Sequence, residues 1–203
     1  MFLTKSNDFK WKKFIAIFAV VVGLVGLGFL GFDRFLQPYF RSFDWHVWKL
    51  LAEFGKWKIL ATVALVFFLV ARILRWLGYK FAIEKLFANI FCSIILSEFI
   101  VGILKICVGR ARPPINGFVP FSLSSAWHSF PSGHAAAAFA LLVSIGLMFP
   151  KAKAFFWALA IIAGIGRICI GAHWPSDVIF GAFIGMAAAD FIVYSRRHLF
   201  SRR

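Results

Sequence analysis

Charge is scarce in this chain of 203 residues: 15% of it is Asp, Glu, Lys or Arg and 62% is hydrophobic, where an ordinary soluble domain carries roughly 25% charge. A water-soluble core could not bury that much apolar surface, so a soluble globular class is excluded. Cysteine is limited to Cys92, Cys107 and Cys169, an odd total in or beside apolar runs and without metal-ligand spacing. The three read as small packing residues, which leaves neither a disulfide framework nor a thiolate metal site. Internal repeats, low-complexity linkers and strand-like alternation are missing too.

What the chain does have is a series of long apolar runs. At about 20 residues per crossing of the hydrocarbon, runs over 14–32, 59–76, 86–104, 134–149, 154–170 and 175–194 predict an all-α, polytopic membrane protein of six transmembrane helices in a single domain, 1–203. The first run follows Lys5, Lys10, Lys12 and Lys13 as a signal peptide would, but it is too long for a signal core and lacks a small-residue cleavage site, so an uncleaved first span is expected. The 134–149 run is short for about 30 Å of hydrocarbon, which places its first turn in a protein-lined cavity. Between the first two runs, Phe40, Phe43, Val47, Leu50, Leu51 and Phe54 recur at helical spacing beside Trp45 and Trp48, predicting an amphipathic helix in the interface.

The net charge of +15 would suggest a nucleic-acid partner in a soluble chain. Here the basic residues lie mainly between spans, where anionic lipid and the positive-inside rule account for them, and no nucleic acid is expected. Counted on alternate sides of the six spans, fourteen of the 23 Lys and Arg fall on the side of both termini, which predicts a cytoplasmic N- and C-terminus.

Three clusters then fall on the opposite, outer side. Lys105, Arg112 and Arg167 are cations suited to phosphate oxygens, and Pro113 and Pro114 stiffen the chain beyond Arg112. Pro131-Ser132-Gly133-His134 opens an apolar helical run: Ser132 is a good N-cap, Gly133 lets an oxyanion approach the backbone, and the first turn points N–H groups at it. His173 and Asp177 flank Trp174-Pro175-Ser176, a spacing at which the carboxylate can reach the Nδ1 proton and leave Nε2 free to attack phosphorus. Of the eight acids only Asp177 belongs to these clusters, whereas multi-metal phosphate chemistry needs several converging carboxylates; no metal and no other cofactor is expected.

Lys105 with Arg112-Pro113, Pro131-Ser132-Gly133-His134, and Arg167 with His173 and Asp177 resemble the three signature motifs of the type 2 phosphatidic acid phosphatase (PAP2) superfamily, across 105–177. The resemblance implies six membrane helices and a metal-independent phosphatase acting on the phosphate or diphosphate of a membrane lipid: undecaprenyl diphosphate, phosphatidylglycerol phosphate, phosphatidate or a lipid A phosphate. It implies that His173 is the nucleophile forming a phosphohistidine, that Asp177 orients it, that His134 protonates the leaving oxygen, and that Lys105, Arg112, Arg167, Ser132 and Gly133 bind the phosphate. It further implies an active site facing outwards from a bacterial cytoplasmic membrane. Gly166 stands where the family usually has Ser, removing one hydroxyl donor.

Two other readings share these residues. A phosphotransferase would pass the same phosphoryl group to a lipid acceptor instead of water, and a lipid-binding or transport protein would hold the anion without turnover. Glu98 and Asp190 lie inside predicted spans, where an acid faces the bundle and finds a partner. Gly181 and Gly185, with 187–189, form a small-residue face for close helix packing.

Overall fold

The computed structural model describes residues 10–42, 48, 57–78 and 83–201. Its order is α1 (Trp11–Leu27), α2 (Asp33–Arg41), α3 (Trp57–Trp76), α4 (Ile83–Val108), α5 (Gly133–Met148), α6 (Lys153–Cys169) and α7 (Pro175–Ser201), with single 3-10 turns at Ser125–Trp127 and Pro150–Ala152. Helices are what such a sequence must form in lipid, where every backbone N–H and C=O needs a partner within the segment.

Among the described residues, five helical stretches are long and apolar enough to cross a membrane, and the sixth apolar helix, Gly133–Met148, is shorter. Four of the five match the expected runs closely. The first departs from expectation. The helix does not stop at Phe32: a π turn at Gly28–Phe32, broken by Gly31 at φ 123°, bends it, and α2 continues from Asp33 to Arg41. Polarity in α2 is inverted relative to a soluble helix, with Asp33 and Gln37 buried and Phe35 and Tyr39 exposed. Gln37 Nε2 donates to the Ile168 carbonyl at 3.1 Å, tying this polar face to the end of α6. Of the expected interfacial helix, Phe40 lies in α2 and packs beside Ile168 and Val178; Phe43, Val47, Leu50, Leu51 and Phe54 lie outside the described residues.

The short helix is the central one. α5 packs against α3, α4, α6 and α7, and Ala135, Ala136, Ala137 and Ala140 on it are wholly buried. It starts inside the bundle. Gly133 abuts Glu98, ten residues short of the end of α4, and the Ser132 carbonyl abuts Gly181, six residues into α7; at 1.5 Å per residue these put its first turn about 15 Å and about 9 Å below the neighbouring helix ends. A 16-residue helix is therefore long enough, and the protein-lined first turn expected from the sequence is observed.

Close approach of α5 and α7 needs glycine. A Cβ on Gly181 would collide with the Ser132 carbonyl and one on Gly185 with the Ala136 carbonyl, so the small-residue face expected from the sequence brings the two backbones into contact. At the far end of the bundle Glu84 of α4 accepts from Arg72 and Arg75 of α3 at 3.3 and 2.9 Å, clasping the α3–α4 hairpin.

Gly181→Val is expected to destabilise the protein by about 1–3 kcal/mol or more through overpacking, read as a lower thermal unfolding midpoint in detergent. Gly102→Ala, which faces open space, is the matched control and should leave the midpoint in place. Equal midpoints for the two variants would refute backbone contact between α5 and α7.

Candidate active site

Lys105 sits in the last turn of α4, and its ammonium donates to the His128 carbonyl at 2.7 Å. The chain then folds back through 109–132 in a loop knitted by its own backbone: Val119 N–H to Gly109 O at 2.7 Å, Ala111 N–H to Gly117 O at 2.9 Å and Ser129 N–H to Arg110 O at 2.9 Å. Arg112 points across to the third cluster and donates to the Ala172 carbonyl at 3.2 Å. Burial lowers its pKa from the ordinary arginine value, and Asp177 opposes that shift.

Ser132 caps α5 as expected, accepting from Ala135 N–H through its side chain while its own N–H donates to the Asp177 carbonyl at 2.9 Å. The first turn that follows carries Gly133 and His134. His134 lies in the electrostatic field of Arg167, His173, Lys105 and Arg112, so the three clusters, far apart in the chain, meet around one point. Glu98 lies against Gly133, beside the start of α5 and near Lys105; its Oε1 is buried without a hydrogen-bond partner. Asp190, the other acid within a span, is fully buried in α7.

Arg167 occupies the last turn of α6, whose C-terminal carbonyls are satisfied by a tight turn in which the Arg167 carbonyl accepts from Ala172 and His173 N–H at 3.1 and 3.3 Å. His173 is 2% exposed. Its Nδ1 lies 2.8 Å from the Ser129 carbonyl, an oxygen that can only accept, so Nδ1 must carry the proton and Nε2 the lone pair.

The partner differs from the one expected. Asp177 Oδ2 stands 3.7 Å from His173 Nδ1, beyond hydrogen-bond reach, because the carboxylate is already occupied. Oδ2 takes the Ser129 hydroxyl at 2.5 Å and the Trp174 N–H at 2.9 Å, and Oδ1 takes Arg110 at 2.6 Å. The Trp174 contact follows from local rules, since an acid at the third position of a helix reaches back to the N–H of the capping residue; Pro175 begins α7, as suits its missing N–H. Asp177 therefore acts on the ring through its charge and through Ser129, whose carbonyl it helps to place. Burial drives the His173 ring down to about 4, Asp177 pulling upwards and Lys105 and Arg167 adding to the depression. The ring is neutral at pH 7.

Four participants were not identified from the sequence: Ser129, Ser176, Arg110 and Asp33. The acid at the end of the first apolar run was a usable signal, because charge at a membrane helix margin is rarely idle. Nothing in the pattern of residues marks a backbone carbonyl as the partner of a histidine. Gly166, the departure from the family pattern, has a spatial reason: a Cβ there would come within 3.1 Å of the Trp48 ring, so indole occupies the space a serine side chain would take.

With this geometry in view, comparison with known proteins gives a consistent result. Residues 86–200 match the model of the PAP2 superfamily. The lipid A 1-phosphatase of Rhizobium johnstonii is 34% identical over 168 residues, covering 74% of this chain and 68% of the relative. Phosphatidylglycerophosphatase B of Escherichia coli is 34% identical over 80 residues, covering 34% of this chain and 31% of the relative. Among solved structures, the transmembrane PAP2 type phosphatidylglycerolphosphate phosphatase from Bacillus subtilis superposes with a TM-score of 0.67 at 16% identity, over 92% of this chain and 96% of that one. The apolar helices, the motif clusters and these likenesses lead to one conclusion: the chain belongs to the PAP2 superfamily and is a multi-span membrane lipid phosphatase.

Proposed function

We propose that the enzyme removes a phosphate from a lipid A-type substrate by way of a phosphohistidine on His173, with the reaction facing outwards from a bacterial cytoplasmic membrane. The observation that carries the mechanism is the 2.8 Å contact between His173 Nδ1 and the Ser129 carbonyl. It fixes the tautomer whose Nε2 lone pair is available to phosphorus.

In the first step Nε2 attacks phosphorus, the bond to the leaving oxygen breaks, and His134 gives that oxygen its proton. Lys105, Arg112 and Arg167 hold the non-bridging oxygens together with the N–H groups at the start of α5, where the helix dipole is positive. The ring becomes cationic as it takes the phosphoryl group. Asp177, 3.7 Å away, stabilises that charge without needing the proton. In the second step water attacks the phosphohistidine, His134 accepts its proton, and phosphate leaves.

Two further observations bear on substrate and side. The lipid A 1-phosphatase match spans about three quarters of the chain, far more than the match to phosphatidylglycerophosphatase B, which favours a phosphate on a lipid A headgroup. Arg72, Arg75, Lys151, Lys153 and Arg196 gather at the end of the bundle away from His173, which by the positive-inside rule supports a cytoplasmic side for that end.

His173→Ala should abolish phosphate release, and His134→Ala should lower it by ~10²–10⁴-fold, with both proteins still inserted and folded; release at the unsubstituted rate in either would refute the assigned roles. Exhaustive chelation should leave turnover intact, because the Asp33 and Asp177 carboxylates are both held by Arg110; a chelation-sensitive, metal-restored rate would contradict this. In a panel of purified phospholipids, lipid A and undecaprenyl diphosphate, lipid A should give the highest kcat/KM, and a preference for another member would reassign the substrate.

The pH dependence follows from the ring. Nucleophilic attack requires neutral His173, whose pKa is depressed to about 4, so the acid limb of kcat/KM for the free enzyme should lie well below the ordinary histidine value of about 6.5. Activity falls as pH drops through that limb. After allowance for titration of the substrate's own phosphate, a limb at or above 6.5 would exclude His173 as a buried neutral nucleophile.

A further inference from the structure

One cation of the loop after α4 turns away from the other basic side chains. Arg110 is 1% exposed and reaches into the bundle, where Nη1 donates to Asp177 Oδ1 at 2.6 Å and to the Ser176 hydroxyl at 2.8 Å, and Nη2 donates to Asp33 Oδ2 at 2.7 Å. Asp33 is itself satisfied by Ser176, whose N–H donates to Oδ1 at 3.0 Å and whose hydroxyl donates to Oδ2 at 2.5 Å. The Phe29 and Trp174 rings lie 4.5 and 5.3 Å from the guanidinium and seal it from water.

The position of Asp33 in the chain is informative. It belongs to α2, outside the 86–200 region that the family model matches, and yet it is 2% exposed and only one side chain removed from Asp177. The π turn that bends the first helix brings it there: a Cβ at Gly28 would collide with Ser176, so glycine allows the bend to press onto the start of α7.

Two carboxylates and one guanidinium leave the network with a net charge of −1. Were Arg110 paired with Asp177 alone, its positive charge would cancel most of the field Asp177 exerts on the ring. Asp33 balances Arg110 from the other side, so that Asp177 remains an effective negative charge 3.7 Å from Nδ1. In a dry interior such charges are screened far less than in water. The other ionisable groups facing the ring are Arg167 from α6, Lys105 from α4, His134 from α5 and Arg112 from the loop. Glu98 is held against Gly133 near Lys105, and the arginines and the lysine are cationic, so the network is the negative charge joined to the ring through Ser129 when the ring turns positive.

We propose that Asp33 and Arg110 are positioning residues for the nucleophile: Arg110 fixes the Asp177 carboxylate, and Asp33 neutralises Arg110 so that Asp177 stabilises the cationic, phosphorylated ring of His173. The N-terminal helix is on this account part of the catalytic apparatus. The proposal rests on His173 being the nucleophile. Acid-quench trapping of labelled phosphate on His173 in the unsubstituted enzyme tests that separately.

The test is the acid limb of kcat/KM together with kcat. Asp33→Asn keeps the shape and can still accept from Arg110, but removes a negative charge; protonation of the ring becomes harder, the limb moves to lower pH, and kcat falls ~10- to 100-fold, as is usual when the partner of a catalytic group is altered. KM should change little, because the network does not touch phosphate. Asp33→Glu keeps the charge and should hold the limb in place. Arg110→Gln removes a positive charge and should move the limb the opposite way, to higher pH. A purely structural network would lower thermal stability in these variants and leave the limb of the folded fraction unmoved, and that result overturns the proposal. If Asp33→Asn does not fold, Ser176→Ala decides: a lower kcat at constant KM supports the proposal, and an unchanged kcat overturns it.

Discussion

Asp177 joins parts of this site that lie far apart in the chain. Its side chain takes Arg110 from the loop after α4, Ser129 from the approach to α5 and the Trp174 N–H from its own helix. Its backbone carbonyl takes the Ser132 N–H that begins α5. Four donors, from both ends of the 109–132 loop and from its own helix start, are thereby held to one residue, all of it buried. An unpaired carboxylate in that position would be strongly destabilising, and it is the saturation of its lone pairs by fixed donors that makes it tolerable. The imidazole held beside it inherits that rigidity through the Ser129 carbonyl.

Around this hub the usual polarity of a folded chain is reversed. Side chains such as Leu30, Trp76 and Phe99 are turned outwards, where lipid tails are their natural surroundings, and the interior holds alanine, glycine, serine and charged side chains beside apolar ones such as Ile94 and Val101. With no hydrophobic drive between helices in lipid, cohesion comes from close packing and from internal polar contacts. The α5–α7 glycine contacts supply the first and the Asp33–Arg110–Asp177 network the second. Packing and polar contacts thus draw on neighbouring residues: Ser132 caps α5 through its hydroxyl and donates its N–H to the Asp177 carbonyl.

Most of the architecture is legible in the residue order. Hydropathy locates the runs, the proline and serine signals place the starts of α5 and α7, and the small-residue face marks where two helices touch. An i, i+4 spacing brings Asp177 to 3.7 Å from His173 Nδ1, but how closely an acid bonds there depends on the competitors for its lone pairs, here Ser129, Trp174 and Arg110. Arg110 stands two residues from Arg112, and that separation does not reveal that one side chain reaches Asp33 and Asp177 while the other reaches Ala172. Asp33 was hidden because a π turn carries the helix past the charge that seemed to end it.

The recessed start of α5 has a consequence for how a lipid meets the enzyme. The first turn of α5 lies about 9 to 15 Å beneath the ends of α7 and α4, whereas Lys105 and Arg167 occupy the last turns of their own helices, so the turn carrying His134 is the deepest part of the site. Any charge at that depth is cut off from bulk water, so its solvation falls to polar groups of the protein.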